Sequence, residues 1–407
     1  MKKVCILNLA AGVLLGAAGA ANYEPNPVFK ASEILPKGLL SGPNFKVEEN
    51  VPSDGYVLHF TITSDVGGYE AEGREMLEVR VQEILALAKL NEVSQTDAFA
   101  KAVGQSAKNT GAAVVNVATK PVETAKGVPE GVGRFFKGVG KSAKQAGQSV
   151  GDAASGDDDA KSTGEMAEGA TKAVTGANKA KRGWAKQAQV DPYSSNAALQ
   201  KKLDELANAS SAGGFAMKIV NPIPIAGMVA SVNGLAWDLP AEDIAALNDK
   251  KLTALGVAEP TRKAFFKNPF YTPSQALGLV AALDALAGVS GADAAVTLAT
   301  RKTKSEADAR FYRRAAEILA RYQKTMGPIA HLVMRPTLFL GQTKSGALIV
   351  PVPYDWIGWT AEVDAVSANR ELKGSPREIW LFGKASKEAL KELTARHWVV
   401  RENVLGS

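Results

Sequence analysis

Residues 101–183 contain no leucine and no isoleucine, yet they hold 14 of the 38 glycines and 16 alanines. A stretch this long without either large aliphatic residue cannot build a packed core of its own. Cores have to be sought on either side of it. Its middle, residues 152–160 (DAASGDDDA), reads as a loop.

Within this segment the apolar residues are placed with helical spacing. At 100° per residue, Val128, Val132, Phe135, Phe136, Val139, Ala143, Ala146 and Val150 share a stripe. Lys126, Arg134, Lys137, Lys141 and Lys144 take the opposite side, and Pro129 sits where a helix start accepts proline. Residues 101–151 carry eight basic and two acidic side chains. The whole chain has 48 Lys plus Arg against 42 Asp plus Glu, so nearly all its positive field comes from here. Gly131, Gly133, Gly138, Gly140 and Gly147 interrupt the pattern. At about 1 kcal/mol each they cost roughly 5 kcal/mol against a helix in water. The helix is expected to form only where something covers its apolar stripe. A surface of anionic lipid satisfies both faces. An envelope protein or the body of the same chain would cover the stripe too, and a solvated linker is the plain alternative. The contact residues expected are Val128, Val132, Arg134, Phe135, Phe136, Lys137, Val139, Lys141, Lys144 and Val150.

Residues 1–21 (MKKVCILNLAAGVLLGAAGAA) have the layout of a secretory leader: Lys2 and Lys3, an apolar run, and a cluster of small residues at Ala18–Ala21. Asn8 and the glycines weaken the reading as a membrane anchor. The one cysteine, Cys5, falls inside the leader, so a processed chain has no disulfide and no thiolate ligand. Export to the periplasm, the envelope or the medium is expected, and it argues against nucleic acid as a partner.

Hydrophobic residues make up 46% and charged residues 22% of the chain, which excludes collagen, a fully disordered chain and a polytopic membrane protein. Residues 22–55 are rich in Pro, Gly and Asn and read as an extended surface arm. Tyr56–Thr63 alternates as a strand, Ser64–Gly68 turns, and Tyr69–Glu72 returns. Arg74–Val93 then takes helical period, with Leu77, Val81, Ile84, Leu85 and Ala88 on one face. Beyond Trp184, a helix is expected from Asp191 to about Ala209 with the stripe Leu199, Leu203, Leu206. Leu239-Pro240 opens another, with Ile244 and Leu247 inward. Thr272-Pro273-Ser274-Gln275 is a capping box for a helix over Ala276–Ala287. Lys304–Gln323 buries Phe311, Ala315, Ile318, Leu319 and Tyr322. Strands follow at Thr337–Gly341, Ala347–Val352, Glu378–Phe382 and Val399–Glu402, with Ser386 capping a helix over Lys387–Arg396. The last two strands around that helix suggest a βαβ unit or an equivalent antiparallel packing.

The expected fold class is α+β: a leader over 1–21, an N-terminal arm and hairpin–helix unit over 22–93, the Gly/Ala/Lys-rich segment over 94–183, a helical domain over 184–325, and a small mixed α/β unit over 326–407. Catalytic motifs are weak. Gly140-Lys141-Ser142 lacks the first glycine of a phosphate loop, since position 135 is Phe135. Gly138–Ala143 matches a loose dinucleotide pattern with no strand before it. His59, His331 and His397 have no second ligand at metal spacing, and Asp157–Asp159 lacks the alternation of a calcium loop. No cofactor and no metal is expected. Tyr354–Trp359 is an aromatic cluster that reads as a packed corner or a ligand platform. Two rival readings stay open. One is a periplasmic hydrolase gathering His331 or His397 with an acid and a Ser or Tyr. The other is a secreted toxin-like protein inserting the apolar stretches Ala212–Trp237 and Gln275–Thr300, although Asn221–Pro224 cuts the first and Asp284 and Asp293 charge the second.

Lys120–Gly138 (KPVETAKGVPEGVGRFFKG) and Lys181–Ala207 (KRGWAKQAQVDPYSSNAALQKKLDELA) resemble a group of uncharacterised exported bacterial proteins with a Gly/Ala/Lys-rich central segment. The resemblance implies export and a shared arrangement, and brings no activity, cofactor or site residue.

Overall fold

The computed structural model describes residues 23–109, 176–213 and 234–405. The fold is α+β.

The N-terminal unit is larger than a hairpin and a helix. Its elements are β1 (Val28–Lys30), α1 (Ala31–Ile34), α2 (Lys37–Leu40), β2 (Ser41–Gly42), β3 (Phe45–Val47), β4 (Asn50–Pro52), β5 (His59–Ser64), β6 (Tyr69–Glu72) and α3 (Arg74–Ser94). Strands pair in the order β2-β3-β5-β6, all antiparallel, and β1 pairs with β4. The expected extended arm over 22–55 is thereby corrected. Ala31, Leu39, Phe45, Val47 and Val51 are buried and complete one core with Phe60, Ile62, Leu77, Val81 and Ile84. Strands of two or three residues are too short to show a period, which is why the arm looked irregular.

Helix α3 buries its predicted face, with Ala88 only half-buried. It also buries Ala86, Leu87, Leu90 and Val93 in a second core. That core is built with α4 (Asp97–Asn109), α5 (176–188) and α6 (Ala197–Gly213). Leu199, Leu203 and Leu206 are fully buried in it, as their spacing predicts. Asn196, not Asp191, starts α6: its Oδ1 accepts from the N–H groups of Ala198 and Leu199. Residues 191–196 are thus freed from helix and form a polar loop.

The third core joins the remaining helices to a sheet. Of these, α7 (Gly234–Asp238) rests its Trp237 on the second core, and the helices of the third are α8 (Ala241–Ala254), α9 (Glu259–Lys267), α10 (Pro273–Asp284), α11 (Ala292–Lys302) and α12 (Glu306–Thr325). Thr272 caps α10 by accepting from Gln275 N at 3.3 Å. Leu247 is half-buried beside a buried Ile244. The apolar stretch Gln275–Thr300 is two helices: left-handed Gly288 and Gly291 (φ +86° and +100°) turn the chain between α10 and α11. Among the described residues no helix is long and apolar enough to cross a membrane.

The sheet strands are β7 (Ile329–Met334), β8 (Phe339–Thr343), β9 (Leu348–Val352), β11 (Arg377–Leu381) and β13 (Trp398–Arg401), in the order β13-β11-β9-β8-β7. β9, β11 and β13 run parallel, so β11, α14 (Lys387–Ala395) and β13 form a βαβ unit. Ser386 caps α14 at 2.9 Å from Ala389 N. Helix α13 (Ala361–Ser367) and the short parallel pair β10 (Trp356–Ile357) and β12 (Lys384–Ala385) complete the unit.

Candidate functional site

Three bodies meet along one face of α12, and charge is concentrated there. Alternate turns of α12 already carry two patterns. Phe311, Ala315, Ile318, Leu319 and Tyr322 face the core. Arg310, Arg313, Arg314 and Glu317, at i, i+3, i+4 and i+7, form a second stripe that faces α3.

Glu75, in the first turn of α3, receives two of these arginines. Arg313 Nη2 donates to its Oε1, and Arg314 Nε donates to Oε2 at 2.8 Å. Arg313 also reaches Glu317 Oε1 at 2.6 Å and Gln275 Oε1 on α10 at 2.9 Å. The Arg314 guanidinium lies 4.6 Å over the Phe382 ring. One carboxylate thus ties the N-terminal unit to the helical domain, and through Arg314 to the C-terminal unit. Burial pushes the Glu75 carboxyl up, but the two guanidiniums more than offset it and hold it at about 2.

A second tie comes from the aromatic corner. The N-cap of α3 is Gly73 (φ +87°), which has no side chain to offer the helix. Asp355 supplies the cap across the junction, accepting from Arg74 N at 3.1 Å and from Leu58 N at 3.5 Å. A Cβ on Gly73 would lie 3.0 Å from Asp355 Oδ2. Burial pushes the Asp355 carboxyl up to about 6, with the two N–H bonds pulling it back. Around it, Phe29 meets Trp356 edge-on at 5.0 Å and Tyr56 packs against Tyr354 at 5.2 Å. The corner Tyr354–Trp359 is therefore a packed joint between units.

Between these ties the units do not close. A cavity of about 890 Å³ remains, lined by α3, the loop 191–196, α10, α12 and residues around Asp355 and Phe382. Its wall carries eight carboxylates and six cations. On the inner wall, Glu83 is 1% exposed and holds Arg80, Ser194 and Asn196. Ser195 donates to Glu306 at 2.6 Å and accepts from Arg80 at 3.3 Å. Asp191 accepts from Ser274 Oγ at 2.7 Å and from Tyr193 N at 2.8 Å. Burial pushes its carboxyl up to about 6; the two hydrogen bonds act against that, and Glu83 and Glu306 add to it.

Neither serine of the loop 191–196 is set up as a nucleophile. A serine becomes a nucleophile when a base matched to neutral pH takes its proton. Ser194 and Ser195 instead donate to ion-paired carboxylates, and no histidine lines the cleft. His331 lies in β7, His397 precedes β13, and His59 pairs with Asp54 at 3.8 Å. Among the described residues no group of side chains is arranged to hold a metal ion.

The contact residues expected from the sequence (Val128, Val132, Arg134, Phe135, Phe136, Lys137, Val139, Lys141, Lys144 and Val150) all lie outside the described residues. Most of Ala212–Trp237 does too. The helices flanking 110–175 are described. Phe99 and Ala102 of α4 and Trp184, Ala185 and Ala188 of α5 are buried in one core with α6. The sequence reading did not bring these residues together as a site: Asp191, Thr272, Ser274 and Gln275 entered it only at helix starts, and Asp355 and Trp356 only in the aromatic cluster; the arginine stripe of α12 is the signal that points to the cleft. No known protein family, curated protein sequence or solved structure matches the chain.

Proposed function

We propose that the chain is a non-enzymatic, exported envelope protein that binds a small polar ligand in the cleft between its three units. The observation that carries this is the cavity itself: about 890 Å³, walled by fixed charges, at the meeting point of separate cores. Ligand sites are concave, sit preferentially between domains, and gather titratable groups with displaced pKa values. Asp191 and Asp355, both pushed to about 6, are such groups. Native mass spectrometry of the full chain isolated under mild conditions tests the proposal. A small non-covalent adduct is expected, and it is lost in Ala281→Trp, which fills the cleft from α10. An adduct that survives this substitution refutes the assignment.

A second activity is favoured by the joint packing of α4 and α5. Because both flanks are held in one core, the basic segment between them is attached to the body at two points. We propose that its Phe135 and Phe136 enter an anionic membrane surface while Lys137, Lys141 and Lys144 pair with the headgroups. Cosedimentation of the full chain with anionic vesicles should be abolished by Phe135→Asp with Phe136→Asp; unchanged cosedimentation refutes it.

A further inference from the structure

The sheet of the C-terminal unit is covered unequally on its two faces. Gly341 of β8 faces α12, because a Cβ there would lie 3.1 Å from Leu319 Cδ2. Side chains alternate along a strand, so Leu340 faces the other way. On that second face Val350 stands in register with Ile379. Its cover includes α13, a helix of only seven residues, and the loop 368–376. They leave a cavity of about 80 Å³ between Leu340, Val350, Ile379, Val366, Leu372 and Trp398. It shares no lining residue with the cleft. Its wall is almost wholly apolar. A water inside would lack the polar partners it needs, so an apolar group is the occupant that gains from the space. A water needs about 10–15 Å³ of such space, so the cavity takes an alkyl chain of about four to six carbons.

One cation marks the margin of this cavity. Arg335 is half-buried and lines it. Because almost none of the wall is polar, it does so with its aliphatic stem. Its guanidinium donates to two backbone oxygens, Met334 O at 3.1 Å and Glu371 O at 2.7 Å, and, among the described residues, to no carboxylate. Leu372, next to Glu371 in the chain, is itself in the wall, so the charge stands at the cavity's edge. Nε is occluded, but each terminal nitrogen keeps a second N–H for an acceptor. A partly buried charge without a counter-charge is costly, and an anion placed there recovers that cost.

We propose that this cavity is a second ligand site, independent of the cleft, and that it takes a short-chain carboxylate. The alkyl chain fills the space between the sheet and α13, and the carboxylate accepts from the terminal N–H groups of Arg335. One guanidinium is balanced by one singly charged head, and its planar fork matches a carboxylate.

Isothermal titration of the full chain near neutral pH with hexanoate, 1-hexanol and acetate, each at millimolar concentration, tests this. Hexanoate should bind saturably. Hexanol has the tail without the charge and should bind about tenfold or more weakly. Acetate has the charge without the tail and should not bind. Arg335→Gln should bring hexanoate down to the level of hexanol and leave hexanol unchanged. Leu340→Phe fills the cavity from β8, and Val366→Trp fills it from α13. Each should abolish binding of both, and a thermal melt establishes that a variant is folded. Hexanol or acetate binding as tightly as hexanoate overturns the proposal. So does hexanoate binding that survives in a folded cavity-filling variant or is unchanged in Arg335→Gln, and so does the absence of saturable hexanoate binding.

Discussion

Replacing Glu75 by glutamine should unfasten the junction with a characteristic dependence on pH. In the native protein the carboxyl is held at about 2, against an ordinary 4.5, chiefly because Arg313 and Arg314 more than offset the burial penalty. Its side chain is 14% exposed, so solvent screens the pair little. Holding the carboxyl at about 2 rather than 4.5 corresponds to about 3 kcal/mol. The folded-state pKa is depressed, so this contribution is fully present above pH 4.5 and is lost as pH falls toward 2. Glu75→Gln removes the charge and leaves Glu317 as the carboxylate that both arginines still share. Such breaking of a buried pair costs a few kcal/mol. Urea unfolding of wild type and variant, followed by circular dichroism between pH 8 and pH 2, measures the gap. It should be about 3 kcal/mol at pH 7 and shrink steadily below pH 4.5. A gap under about 1 kcal/mol at pH 7, typical of an exposed pair, would refute the reasoning. So would a gap that stays constant into acid.

Asp355 should act in the opposite sense. Its folded-state pKa is raised to about 6 from 3.8, so the protein gains stability as pH falls from about 6 to 4, by up to about 3 kcal/mol. Asp355→Asn keeps one acceptor for Arg74 N–H and should abolish that gain in the same urea titration. Gly383→Ala should destabilise by about 3 kcal/mol or more, because its Cβ would lie 1.9 Å from the Asp355 carbonyl oxygen. That oxygen also accepts from Lys384 N at 3.0 Å, so thermal melting should drop sharply. Ser386→Ala removes the cap of α14 and the hydroxyl that donates to Glu24. A loss of about 1–2 kcal/mol is expected in chemical unfolding.

Local rules carried the parts of the fold that one stretch of chain decides alone. The Thr272 and Ser386 caps, the α3 and α12 stripes, and the Leu199–Leu206 face depend on spacing within a few turns, and they stand where spacing puts them. The C-terminal βαβ unit followed from one capped helix between two apolar runs, and parallel pairing selects it over the antiparallel alternative. Residues 23–55 were misread because their burial comes from contacts with β5 and α3 rather than from their own period. Asp191 looked like a helix start because Asp-Pro is a common opening, but Asn196 competes for that role and wins. The cleft was illegible for a different reason. Glu75 and Arg313 stand 238 positions apart, and no local pattern joins them. Only the repeat of arginine along α12 hinted that a second face of that helix is covered.

Hydrogen–deuterium exchange of the full chain, as isolated with its adduct and after the adduct is removed by dialysis, is the most direct test of the cleft as the ligand site. Slowed exchange should concentrate in residues 191–196 and in the flanking walls of α3, α10 and α12. Protection confined to surfaces away from these walls would contradict the account.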